Sequence, residues 1–133
     1  MDLQNAGLLI IDDEVEICLS TKDMFQLEGY KADFVTTAKE AFEKFKKNSY
    51  GLLIVDIKLG GPVTGIEIIK SFREQRNRPK IIVISAIPQD ALNPIFIREG
   101  ISSMIEGFLN KPSCCNPEKM IGLAKRVWPQ LKK

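Results

Sequence analysis

Histidine is missing from all 133 residues. Its absence excludes His-dependent catalytic triads, histidine zinc ligation and imidazole acid–base chemistry supplied by this chain. Any histidine in its reaction must belong to another molecule. Cysteine is scarce, with three residues at 18, 114 and 115. Cys114 and Cys115 are adjacent, without C-x-x-C spacing, and an odd count behind no signal peptide argues for reduced thiols. No apolar run approaches bilayer length and the N-terminus has no leader pattern, so the chain reads as cytoplasmic. Charge imbalance is small, 19 basic against 17 acidic residues, which gives no bulk electrostatic case for nucleic acid or a membrane surface. Linkers, repeats and low-complexity segments are also lacking. So are GxGxxG, GxxxxGK[ST] and GxSxG, which removes the phosphate-cradling and nucleophile-elbow signatures and leaves a small hydrolase or nucleotide-binding enzyme without its usual parts.

What is present fits one globular domain over 1–133 with a real core, since 44% of residues are hydrophobic and 27% charged. Short unbroken apolar runs occupy 8–11, 32–35, 52–55, 81–84 and 105–109. Runs rich in Ile, Leu and Val suit strands covered on both faces. Lys31, Ala32 and Asp33 dilute the second run, which places it at a sheet edge. Helical patterns lie between the runs. The first extends from about Glu14 to Glu28, with Asp13 at its N-cap and Gly29 as its stop. The second starts at Thr37, where Thr-Ala-Lys-Glu40 forms a capping box, and a similar box from Thr64 to Glu67 opens the third. In the fourth segment Pro94 should break the helix, so Asn93 is expected to cap a short helix that begins at Pro94. The fifth runs from Pro117 to about Val127. Strand and helix alternating five times predict an α/β sandwich with right-handed crossovers and a parallel sheet.

In such sheets ligands bind beyond the carboxyl ends of the strands. Those ends carry Asp12 and Asp13, then Asp56, Ser85 and Lys111. Three neighbouring carboxylates repel one another unless a cation joins them, and Mg²⁺ suits the set because it takes one or two carboxylates, waters and a phosphate oxygen. Asp13 is the best direct ligand, Asp12 acts through water, and Asp56 gives one oxygen while the other can attack phosphorus. The Lys111 ammonium can neutralise phosphoryl charge, and the Ser85 hydroxyl can donate to a phosphoryl oxygen beside the small Ala86. Asp12 and Asp13 as plain helix caps, or Lys111 as a surface lysine before a turn, would each explain one residue. Neither explains the whole series at successive strand ends.

That series resembles the two-component response regulator receiver domain, chemotaxis regulators included, over essentially the whole chain. The matching motifs are Asp12 and Asp13, Asp56, Ser85 with Ala86, and Lys111 with Pro112. Gly65 and Phe108 match the glycine opening the third helix and the switch aromatic. The resemblance implies a flavodoxin-like (βα)5 sheet of order 2-1-3-4-5 and a cis Lys111–Pro112 bond. It implies Mg²⁺ held by Asp12, Asp13, Asp56 and the Lys58 backbone carbonyl. It further implies phosphorylation of Asp56 by a histidine kinase or histidine phosphotransfer partner. Ser85 and Phe108 would then re-pack together to switch the surface of the fourth helix, fifth strand and fifth helix toward a downstream protein target or a homodimer. Neither direct nucleic-acid contact nor membrane contact is expected. Three features depart from the family: Gly60-Gly61-Pro62 in the loop after Asp56, a longer segment between Gly100 and Phe108, and Pro94. Lys58, two residues after the acceptor, is placed to alter the lifetime of an aspartyl phosphate. No effector domain follows the fifth helix, so the chain is expected to be either a complete single-domain regulator or part of a longer one. The competing expectation is a phosphorylation-independent interaction module on the same fold.

Overall fold

A computed structural model describes residues 6–59 and 64–129. The elements are β1 (Gly7–Ile11), α1 (Val15–Leu27), β2 (Ala32–Val35), α2 (Ala38–Lys47), β3 (Tyr50–Asp56), α3 (Gly65–Lys70), β4 (Lys80–Ser85), α4 (Gln89–Arg98), β5 (Ile105–Asn110) and α5 (Pro117–Val127). All strand pairs are parallel, in the order β2-β1-β3-β4-β5. The diluted second strand lies at one edge, as its composition predicts.

Each central strand is apolar throughout because both of its faces are covered. On β1, Leu9 and Ile11 face the core beneath α2, α3 and α4, while Leu8 and Ile10 face the core beneath α1 and α5. The same alternation sends Leu53 and Val55 one way and Leu52 and Ile54 the other on β3. A period of two across a doubly covered sheet needs hydrophobic residues at every position.

Local signals set the helix ends. Gly29, at φ 91°, stops α1. Tyr30 N–H donates to the Phe25 carbonyl and Gly29 N–H to that of Gln26, at 3.0 Å each, and the Phe25 and Tyr30 rings meet edge to face at 5.5 Å. This left-handed closure with its apolar clasp satisfies carbonyls that the helix leaves unpaired. The start of α1 differs from expectation. Glu14, not Asp13, occupies the N-cap position, and no side chain caps it. Instead the Asp12 carboxylate accepts the Glu14 N–H at 2.9 Å, and this leaves Asp13 exposed toward solvent. Asn116 caps α5 by accepting the Lys119 N–H at 3.2 Å.

The fourth helix also departs from expectation. It begins at Gln89 and runs unbroken through Pro94, with Pro88 at its N-cap. Leu92 and Phe96 are buried on either side of the proline and hold both halves against the sheet. The missing amide costs the Asp90 carbonyl its helical donor, and Asp90 is exposed, so water can satisfy it. The long segment before β5 contains a 3₁₀ turn, Ser102–Met104. Gly60, Gly61 and Pro62 lie outside the described residues.

Candidate functional site

Four of the five strand termini converge at one edge of the sheet. Asp12 follows β1 and is fully buried, Asp56 ends β3 and is 3% exposed, and Ser85 ends β4 and is fully buried. Lys111 follows β5, and its cis peptide bond to Pro112 turns the chain away there. With Asp13, Lys58 and Ala86, the last three of these line a cleft of about 300 Å³. Close packing of Gly65 fixes one wall. A Cβ there would collide with the Asp56 carbonyl and lie 2.9 Å from the Ile57 Cα, so only glycine lets α3 start so near the acceptor strand.

Lys111 is the hub. Its Nζ lies 2.9 Å from Asp56 Oδ2, 3.2 Å from Asp12 Oδ1 and 3.5 Å from Glu14 Oε2. Burial pulls its pKa down, but hydrogen bonds and charge attraction from Asp56 and Asp12 outweigh this and hold the ammonium above its ordinary range. The other Asp56 oxygen, Oδ1, accepts the Lys58 N–H at 3.2 Å. Burial, reinforced by the Asp56 charge, pushes the Asp12 carboxyl up to about 6 against the opposing Glu14 N–H and Lys111 contacts.

Three carboxylates, those of Asp12, Glu14 and Asp56, therefore share one ammonium, with Asp13 beside them. Asp12, Asp13 and Asp56 each offer an oxygen within 4.8 Å of the others, the one such acidic group among the described residues. Asp12 Oδ2 is buried and accepts no hydrogen bond. It lies 3.1 Å from Lys111 Nζ, an ion pair without hydrogen-bond geometry. A buried oxygen that accepts no hydrogen bond, set among like charges, fits a hard divalent cation.

Ser85 Oγ accepts the Ile87 N–H at 3.0 Å. Phe108, opposite Val83 in the β4–β5 register, is half-buried against the core beneath α3 and α4. Every predicted site residue thus falls at this edge or beneath it, although Lys58 is exposed and engages the site through its backbone amide. Sequence reasoning missed two residues. Glu14 directly follows the acidic pair, a signal that was legible. Asn110 donates to the Ser85 and Ile87 carbonyls at 3.3 and 3.4 Å, and nothing in its sequence context marks it beyond its place before Lys111.

A five-stranded flavodoxin-like sheet that gathers an acidic cluster, a hydroxyl and one lysine at its carboxyl edge is the arrangement of a receiver class of signalling domain. The chain matches the response regulator receiver domain over residues 8–124 and belongs to that family. Membership places it among the receiver domains of two-component response regulators. The chain is 32% identical over 121 residues to the chemotaxis protein CheY of Thermotoga maritima, covering 90% of this chain and 95% of that one. It spans 37% and 34% of the length of two further curated relatives, about a third. Among solved structures, a CheY-like receiver domain protein from Methanospirillum hungatei shares the fold, with a TM-score of 0.79 at 24% identity over 93% of this chain and 94% of that one. The response regulator TrrA from Thermotoga maritima, solved in complex with Mg²⁺–BeF, is similar at 26% identity and a TM-score of 0.74 over 92% and 98%.

Proposed function

We propose that this chain accepts a phosphoryl group on Asp56 from a histidine kinase or histidine phosphotransfer protein in a Mg²⁺-dependent reaction. One observation carries the reading: a single part-buried lysine bridges Asp56 and Asp12 while a buried Asp12 oxygen accepts no hydrogen bond. That arrangement is poised for one cation and one phosphoryl group. Asp12, Asp13, Asp56 and the Lys58 carbonyl would hold Mg²⁺, which when bound offsets the charge of the acids and the incoming phosphoryl oxygens. TrrA, similar in sequence and fold, was solved in complex with Mg²⁺–BeF, which supports the reading.

The chain's own groups then have defined work. Asp56 supplies the attacking carboxylate oxygen and becomes an aspartyl phosphate as the phosphorus–nitrogen bond to the donor histidine breaks. Lys111 stays protonated and stabilises charge on the transferred group. Ser85 exchanges the Ile87 N–H for a phosphoryl oxygen, and Phe108 follows into the space released. The chain catalyses only its own phosphorylation and dephosphorylation. The re-packed face of α4, β5 and α5 is read by a downstream protein or by a second copy of the chain, in the cytoplasm. No helix of the described residues is long and apolar enough to cross a membrane. We assign the receiver unit to residues 1–133.

Acetyl phosphate with Mg²⁺, followed by intact mass measurement, tests the assignment. Wild type should gain one phosphoryl group, and neither Asp56→Asn nor wild type in a chelator should gain any. Equal labelling of Asp56→Asn would overturn it.

A further inference from the structure

Asn110 is the last residue of β5 and pairs in register with Ser85, the last residue of β4. Alternation along β5 puts its side chain on the same face of the sheet as Phe108, two residues earlier. There its carboxamide nitrogen donates to two carbonyls at once, Ser85 at 3.3 Å and Ile87 at 3.4 Å. The Ser85 carbonyl also accepts the Lys111 N–H at 2.9 Å. The turn leaving β4 is thus tied to β5 at both its first and third residues. While it is tied, the Ile87 N–H remains directed at Ser85 Oγ, 3.0 Å away. The hydroxyl is engaged within its own turn.

The rest of α4 makes this tie matter. Its C-terminal end is anchored to α3 and the turn after it: Lys70 Nζ lies 2.9 Å from Glu99 Oε1, and the Arg73 guanidinium donates to the Glu99 carbonyl at 2.7 Å. Its middle is weakened by Pro94, which cannot donate to the Asp90 carbonyl. Its first turn has no side-chain cap. A helix fixed at its far end and short of a bond at its centre leaves the position of its leading turn to contacts outside the helix.

We infer that Asn110 is a positioning residue, a latch that holds the β4–α4 turn and the Ser85 hydroxyl in the resting arrangement. Phosphorylation at Asp56 must break the latch before Ser85 can reach the phosphoryl group. Releasing it in advance shifts the resting population toward the switched arrangement, and ligands that favour that arrangement then bind more tightly. The inference rests on the phosphoacceptor reading given above.

Two measurements test it. In the metal-free chain, hydrogen exchange at the Ile87 amide reports the latch without any phosphoryl chemistry. Asn110→Asp keeps the shape but offers acceptors to two carbonyls, and Asn110→Leu offers nothing. Both should speed exchange at Ile87, and Asn110→Gln, which keeps the donor, should restore much of the protection. Unchanged exchange in Asn110→Asp and Asn110→Leu overturns the latch whatever Asp56 does. The second measurement is the apparent affinity for beryllofluoride with saturating Mg²⁺. Two long neutral hydrogen bonds correspond to a gain of about threefold to tenfold in the Asp and Leu variants, with the Gln variant near wild type. Weaker or equal binding in the Asp and Leu variants contradicts the inference. Failure of wild type to bind beryllofluoride at all overturns the phosphoacceptor reading, and the switching role of Asn110 with it.

Discussion

At the scale of single residues, the site is a problem of charge placed where water cannot help. Asp12 is fully buried beside a second buried carboxylate. Its carboxyl titrates near 6 in the folded chain against an ordinary 3.8. Between those pH values the folded chain binds a proton that the unfolded chain has released. Raising the pH through that window therefore removes stability from the metal-free protein, and the loss is complete about one pH unit above the folded value of about 6. The same proton competes with a cation for the Asp12 oxygens. Calorimetric Mg²⁺ affinity should level off about one pH unit above 6 and fall by up to about tenfold per pH unit below it. Asp12→Asn should flatten that profile. Affinity that holds constant from pH 7 to 5 would refute this account of Asp12. The acids and Lys111 were legible in sequence because each ends or follows an apolar run. Their pairing was not, since which oxygen meets the Lys111 ammonium depends on side-chain geometry that no spacing encodes. Asn110 shows the same limit, because its two acceptors are backbone carbonyls of another strand's turn.

Elements repeat this lesson at larger size. Thr37–Glu40 and Thr64–Glu67 carry the same capping pattern, yet only the first is used. Thr37 accepts the Glu40 N–H at 3.1 Å, and the reciprocal Glu40 bond goes to the Thr36 N–H. Thr64 sits at the N-cap of α3 but its side chain makes no capping hydrogen bond. Thr37→Ala should therefore cost about 1 kcal/mol in urea unfolding, while Thr64→Ala should change stability by a few tenths at most. Equal losses would show that the motif acts at both sites. Strand positions and the start and end of α5 were readable from apolar runs, proline and glycine. The course of α4 was not. A local rule breaks a helix at Pro94, but burial of Leu92 and Phe96 on one continuous face outweighs a single missing bond.

For the whole molecule, the sheet order converts distant sequence positions into one site. Lys111 and Asp12 are 99 residues apart in the chain, and β1 and β3 are neighbours only because the strand order reverses at β1. Two apolar layers hold the strands in register, so the groups at their carboxyl ends are positioned by a core that takes no part in the chemistry. This architecture was the most legible property of the sequence, since alternating apolar runs and helices admit few topologies. The central claim is that this convergence makes Asp56 the phosphoryl acceptor among closely spaced acids. Borohydride reduction after incubation with acetyl phosphate and Mg²⁺, followed by peptide mapping, reads it directly. Homoserine should appear at position 56 and nowhere else. Homoserine at Asp12 or Asp13, or at no position in a chain that has bound Mg²⁺, would contradict the account.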